Sequence, residues 1–185
     1  MCYVIVFIPM KNLPFSSSTA GYKSTSTVSS IAGLAYARFN LSKFVWKVEG
    51  VYGQNLADHL MLGGYGVESK VESTGIETYT PTTVFSAWTD IETNNTIALG
   101  FFAGVTQNLG SGENLNGAGY WARGADIDKI YRISPRILWN SAKTTLAAEL
   151  EYTAASYGAT ASDATVKDAD FVGNMRLLLA AYYYF

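Results

Sequence analysis

The chain has 185 residues, room for one domain of ordinary size, and is 49% hydrophobic, 14% aromatic and only 15% charged. That hydrophobicity excludes intrinsic disorder, and a formal net charge of −2 offers no basic footprint for nucleic acid. One cysteine, Cys2, and one histidine, His59, exclude a disulfide framework, a Cys-based zinc site and a His cluster.

Met1 to Pro9 is apolar, like the middle of a secretion signal, yet the positive charge that should precede it is missing, because Lys11 comes after. Ser18-Thr19-Ala20 matches a small-residue cleavage site poorly. Residues 1–27 therefore read as an atypical N-terminal segment, a truncated or misassigned start or a poor signal peptide. A spanning helix needs roughly 20 consecutive apolar residues. The longest apolar run, Leu177 to Phe185, has nine.

From Val28 onward the chain alternates with period two, the mark of strands with two different faces. Expected strands are Val28 to Phe39, Lys43 to Gln54, Thr82 to Glu92, Thr96 to Gln107, Asp126 to Asn140, Lys143 to Tyr157 and Asp170 to Phe185. In Asp126 to Asn140 the even positions (Asp126, Asp128, Arg132, Arg136) are mostly polar and the odd ones (Ile127, Tyr131, Ile133, Ile137, Trp139) mostly apolar. Lys143 to Tyr157 sets Glu149 and Glu151 against Leu146, Leu150 and Tyr152, and Lys43 to Gln54 sets Lys43, Lys47 and Glu49 against Phe44, Trp46 and Tyr52. Thr96 to Gln107 opposes Ile97, Leu99, Phe101, Ala103 and Val105 to small residues. Strands of about 11–16 residues exceed the usual 5–6 and suit tilted membrane spans of about 9–11 with extensions.

Connections alternate in length. Short turns fall at Asn40-Leu41, Thr93-Asn94-Asn95 and Ser141-Ala142, and long polar segments at Asn55 to Pro81, Asn108 to Ala125 and Gly158 to Ala169. This is the periplasmic-turn and extracellular-loop asymmetry of outer-membrane barrels. Residues 28–185 are thus expected to form an all-β, antiparallel, up-and-down transmembrane β-barrel with those three loops outside. A soluble lipocalin-like barrel would invert the faces. Aromatics gathered near strand ends (Phe39, Phe44, Trp46, Trp139 and Tyr183 at one level, Tyr52, Tyr131 and Tyr152 at the other) favour two interfacial girdles and an apolar outside.

The last residues place Leu177, Leu179, Tyr183 and Phe185 on one face. This resembles the C-terminal assembly signal of outer-membrane barrels, which implies the barrel-assembly machinery as a partner. The stretches from Trp46 to Leu56, His59 to Val67, Gly124 to Arg136 and Glu149 to Thr153 resemble porin-like outer-membrane proteins of Bacteroidota. The resemblance implies the C-terminal part of a larger barrel in a Gram-negative outer membrane, a possible homotrimer, acting as a channel for passive diffusion of small polar solutes. The alternative is a small eight-stranded barrel with a structural or adhesive role through its loops. Seven expected strands require either missing N-terminal strands or further ones from residues 1–27 or 59–69, since such barrels have even strand numbers.

Parity assigns Lys43, Lys47, Glu49, Asp126, Asp128, Arg132, Arg136, Glu149, Glu151 and Arg176 to the pore lining. With Arg38, Asp90, Glu92 and Lys143 the wall is balanced, which predicts no strong ion selectivity. No catalytic constellation is present: His59 adjoins Asp58 without a nucleophile motif. Gly63-Gly64-Tyr65-Gly66 lacks the Lys-Ser/Thr of a phosphate loop and reads as a flexible or tightly packed segment folded into the pore. Asp126 and Asp128 could pair on calcium at the mouth, though ordinary lumen carboxylates explain them more simply. No cofactor, metal or nucleic-acid partner is expected. A two-residue turn at Ser141-Ala142 would set Arg132 opposite Glu151 and Ser134 opposite Glu149, with Arg136 diagonal to Glu149 and Arg176 joining from the far side: a ladder of alternating charge.

Overall fold

The computed structural model describes residues 26–185 in full, and before them the backbone of Cys2–Phe7 and Met10–Asn12. Ser18-Thr19-Ala20 lies outside the described residues. The chain is all-β. Its strands are β1 (Cys2–Phe7), β2 (Met10–Asn12), β3 (Thr27–Ser29), β4 (Ala32–Asn40), β5 (Phe44–Gln54), β6 (Gly63–Val71), β7 (Ile76–Thr93), β8 (Ile97–Ser111), β9 (Tyr120–Arg123), β10 (Ile127–Ser141), β11 (Thr144–Thr160) and β12 (Val166–Tyr183).

The main sheet runs antiparallel and up-and-down in the order β1-β4-β5-β7-β8-β10-β11-β12. Six of the seven expected strands are present as single strands, while the expected Val28 to Phe39 is broken: Val28 lies in β3, which pairs with β2 in a separate two-stranded sheet, and β4 begins at Ala32. β1 adds itself beside β4 through Cys2↔Ala37 to Phe7↔Ala32. Among the described residues no pairing joins β12 to β1, so the sheet is open at both edges.

Period two decides the faces. Leu99, Phe101, Ile133, Ile137, Leu146, Leu150, Leu177 and Leu179 share one face through pairs such as Leu99↔Ile137, Ile137↔Ala148 and Ala148↔Leu179. All eight are exposed, Leu179 to 76%. An inverted barrel would enclose them together. Aromatics flank this band: Phe39 stacks on Trp46 at 5.1 Å near the short turns, and Tyr131 lies 5.9 Å from Tyr152 and 5.5 Å from Phe171 at the other end.

The turns correct the expected boundaries. β10 and β11 are joined by Ala142-Lys143, with Ser141 paired to Thr144, because Ala142 takes the positive φ of 48° that closes the hairpin. Paired residues therefore sum to 285 rather than 283, a slip of two that keeps every side chain on its face. Lys43 sits in the turn between β4 and β5, where its carbonyl accepts from the Asn94 amide at 2.9 Å, so it is not part of a strand. Asp126 occupies the turn before β10, and a bulge between Ile127 and Lys129 takes up Asp128. The bulge breaks the parity that assigned these two carboxylates to the lining.

The long segments are not simple solvated loops either. β7 extends up to Ile76 and pairs there with β6, while β9, from the β8–β10 connection, crosses to the far edge of β6. The result is a three-stranded cap. Beneath it the single-turn 3-10 helix Leu56–His59 folds inward, and Leu56 and Leu62 pack with Ala32, Val51 and Val84, backed by Leu34, Met61, Ile127 and Ile130. Leu34, Val51 and Ile130 belong to the polar face, so this is the apolar top of that face, covered by the chain itself. The Gly63-Gly64 segment is tightly packed: the Gly64 amide donates to Thr82 Oγ1 at 2.7 Å, and the hydroxyl donates back to the Gly64 carbonyl at 3.1 Å. Gly63 has a φ of 101°, and a Cβ there would stand 2.9 Å from Val84.

Candidate functional site: the charged and aromatic wall

Three rows of paired residues cross the polar face below the cap. One runs Tyr36, Glu49, Trp88, Gly104, Arg132, Thr153, Asn174. Two residues further toward the short turns run Arg38, Lys47, Asp90, Phe102 and Ser134. The third contains Val45, Glu92, Gly100, Arg136, Glu149 and Leu178.

The charges gather into two clusters, each with two cations against two carboxylates. In the first, Arg132 Nη2 lies 2.7 Å from both Glu149 Oε1 and Glu151 Oε2, and Arg176 Nη2 lies 2.9 Å from the same Glu151 oxygen. Arg132 Nε also donates to Ser134 Oγ at 2.8 Å. The expected ladder of Arg132, Glu149, Glu151 and Arg176 is thus present. The two-residue slip changes its geometry: Arg132 faces Thr153 and reaches Glu151 diagonally.

In the second cluster Arg136 does not turn to Glu149, directly opposite. It crosses β8 and reaches β7, two strands away, donating to Asp90 Oδ2 at 2.6 Å and Oδ1 at 3.0 Å and to Glu92 Oε2 at 2.8 Å. Lys47 Nζ stands 3.5 Å from Asp90 Oδ1. Gly100, between Glu92 and Arg136, makes the crossing possible, for a Cβ there would lie 2.5 Å from Arg136 Nε. Two carboxylates on β7 also offer the guanidinium fork more acceptors than Glu149 alone.

Sequence parity missed the aromatic stripe on this polar face. Tyr36 lies 6.2 Å from Trp88, Trp88 stacks on Phe102 at 5.9 Å, and the Arg132 guanidinium sits over Phe102 at 5.2 Å. Trp88 Nε1 donates to Glu49 Oε1 at 3.0 Å. The signal was there: Trp88 shares its parity with Asp90 and Glu92, and Tyr36 with Arg38.

Asp126 and Asp128 join neither cluster among the described residues. The proposed assembly residues Leu177, Leu179 and Tyr183 lie on the apolar face of β12, opposite Leu150, Ala148 and Thr144. Phe185 follows the strand, its ring 5.5 Å from Tyr183. A scan against protein-family models, a search of curated proteins and a search of solved structures each returned no match.

Proposed function

We propose that this chain forms wall of a porin-like outer-membrane channel for passive diffusion of small hydrophilic solutes, as the C-terminal part of a larger barrel. One observation carries the reading: a sheet of long strands exposes its apolar face and keeps arginines and carboxylates on the other. In a soluble domain arranged so, water would cover the exposed apolar face, whereas a bilayer outside and a wet lumen inside suit both faces. In hydrocarbon every backbone polar group needs a partner, so the free edge of β12 would be paired by further strands of that barrel. The wall's paired charges form no ring of one sign, and passage would be weakly selective.

The resemblance of Trp46 to Leu56 and Gly124 to Arg136 to porin-like proteins of Bacteroidota supports the same reading. A small structural or adhesive barrel is favoured by one observation, that β1 brings the continuous path to eight strands. On that reading β1 and β12 would pair with each other.

Liposome swelling separates the two. The complete barrel containing this chain, folded and inserted, should admit small neutral solutes, and Glu149→Lys with Glu151→Lys in it should shift single-channel preference toward anions. Inserted, heat-modifiable protein that admits nothing would overturn the channel and support the closed barrel.

A further inference from the structure

The cap carries an open cavity of about 450 Å³, within the size range of small-molecule sites. Three separate segments build it: Asn55 and Asp58 come from the inward turn, Tyr65 from β6, and Tyr120, Trp121 and Arg123 from β9. The Tyr65 and Trp121 rings lie 5.5 Å apart, and Tyr79 closes an aromatic triad at 6.0 Å and 6.3 Å from them. The Tyr79 hydroxyl donates to Glu77 Oε2 at 2.9 Å, and burial reinforced by that bond pushes the phenol up to about 12.

Two features of Trp121 point to a ligand. The chain makes room for its indole at Gly119, where a Cβ would come within 2.5 Å of the ring. The residue nevertheless remains 50% exposed, so part of it is open to a ligand.

Chemistry narrows the ligand class. An aromatic cage alone would suit a quaternary ammonium ion, but Arg123 beside it opposes a cation. Asp58 in the same wall opposes an anion. Asp58 accepts hydrogen bonds, Arg123 donates them, and the Asn55 amide can do both. A neutral molecule with an apolar C–H face and a rim of hydroxyls satisfies rings and polar groups together. We propose that the cap cavity binds a neutral carbohydrate, one sugar ring stacked on Trp121 and its hydroxyls shared among Asp58, Arg123 and Asn55. The site rests on the cap alone and does not require an open channel.

Calorimetric titration of the full chain, folded in detergent, tests this with maltotriose, xylotriose and N,N′-diacetylchitobiose, against choline and succinate as charged controls. At least one saccharide should bind saturably, and Trp121→Ala should weaken it by roughly tenfold or more. Arg123→Gln, at an exposed position, should weaken binding several-fold without altering the circular dichroism spectrum, and Trp88→Phe on the wall should leave it unchanged. The proposal is overturned if none of the three saccharides binds the folded protein, if Trp121→Ala and Arg123→Gln both bind as the parent does, or if choline or succinate binds more tightly. Swelling activity without saccharide binding would end this inference and leave the channel standing. Binding without swelling would do the reverse.

Discussion

Gly100 offers the most direct test of how the wall is built. A Cβ at this position would lie 2.5 Å from Arg136 Nε, 2.7 Å from Cγ and 2.7 Å from Cζ, so Gly100→Ala must push the guanidinium out of its crossing. The side chains concerned are 15% exposed for Arg136, 10% for Asp90 and 36% for Glu92. Breaking a well-buried ion pair costs about 3–5 kcal/mol, and losing one charged hydrogen bond about 1.5–3. Glu92 is partly solvated and Lys47 remains 3.5 Å from Asp90, which discounts the loss. We expect Gly100→Ala to cost about 2 kcal/mol, net of the roughly 0.5–1 that alanine gains over glycine in a strand. In an Arg136→Ala background the same substitution should be neutral or slightly stabilising. Urea midpoints in lipid vesicles, at unchanged m-value, measure both. An equal effect in the two backgrounds would show that the crossing is not what Gly100 provides, and the reasoning would fall.

On the apolar face, Ile137→Arg should destabilise the inserted protein by about 2–4 kcal/mol near the bilayer midplane, read from the same urea curves; no cost would remove lipid from that face. Phe185→Ala, or its deletion, should sharply lower heat-modifiable protein in the outer membrane, and unchanged assembly would remove the compartment reading's support. In the β11–β12 turn, hydrogen bonds from the Thr165 hydroxyl and amide hold the Asp163 carboxyl below the ordinary aspartate range. The stability it contributes is present above the usual aspartate range and is lost as pH falls through the lowered value. The Thr165 amide shift in NMR should follow that acid titration and lose it in Asp163→Asn; a midpoint at the ordinary aspartate value would refute the bond's role.

Face assignment was legible because one residue's parity fixes its neighbours', and a slip of two leaves faces intact. Arg132, Glu149, Glu151 and Arg176 therefore met as expected although the pairing sum was wrong. What parity could not carry was anything that breaks it. The bulge at Asp128 removed the basis for placing Asp126 and Asp128, and the positive φ at Ala142 moved the turn by one residue. β6 overlaps residues 59–69, which the strand count offered as a further strand, but β9 was hidden for another reason. It lies in a polar, glycine-rich segment and finds its partner only through chain reversal over the wall, a long-range contact that no local pattern announces.

The small residues of β8 turn out to shape the wall. Glycine inside a strand normally weakens it, and β8 carries two on its polar face, Gly100 and Gly104. Each sits where side chains of neighbouring strands must pass or lie flat. Arg136 crosses at Gly100; at Gly104 a Cβ would stand 3.2 Å from the Phe102 ring and 3.2 Å from Trp88 Cβ, which the glycine avoids. β8 is therefore a low strip over which β7 and β10 meet, one level ionic and the next aromatic. Because each arginine there is matched by carboxylates, the wall presents rings and paired charges together rather than net charge. On the proposed channel reading, a solute moving along it would be sorted by stacking and hydrogen bonding before it was sorted by sign.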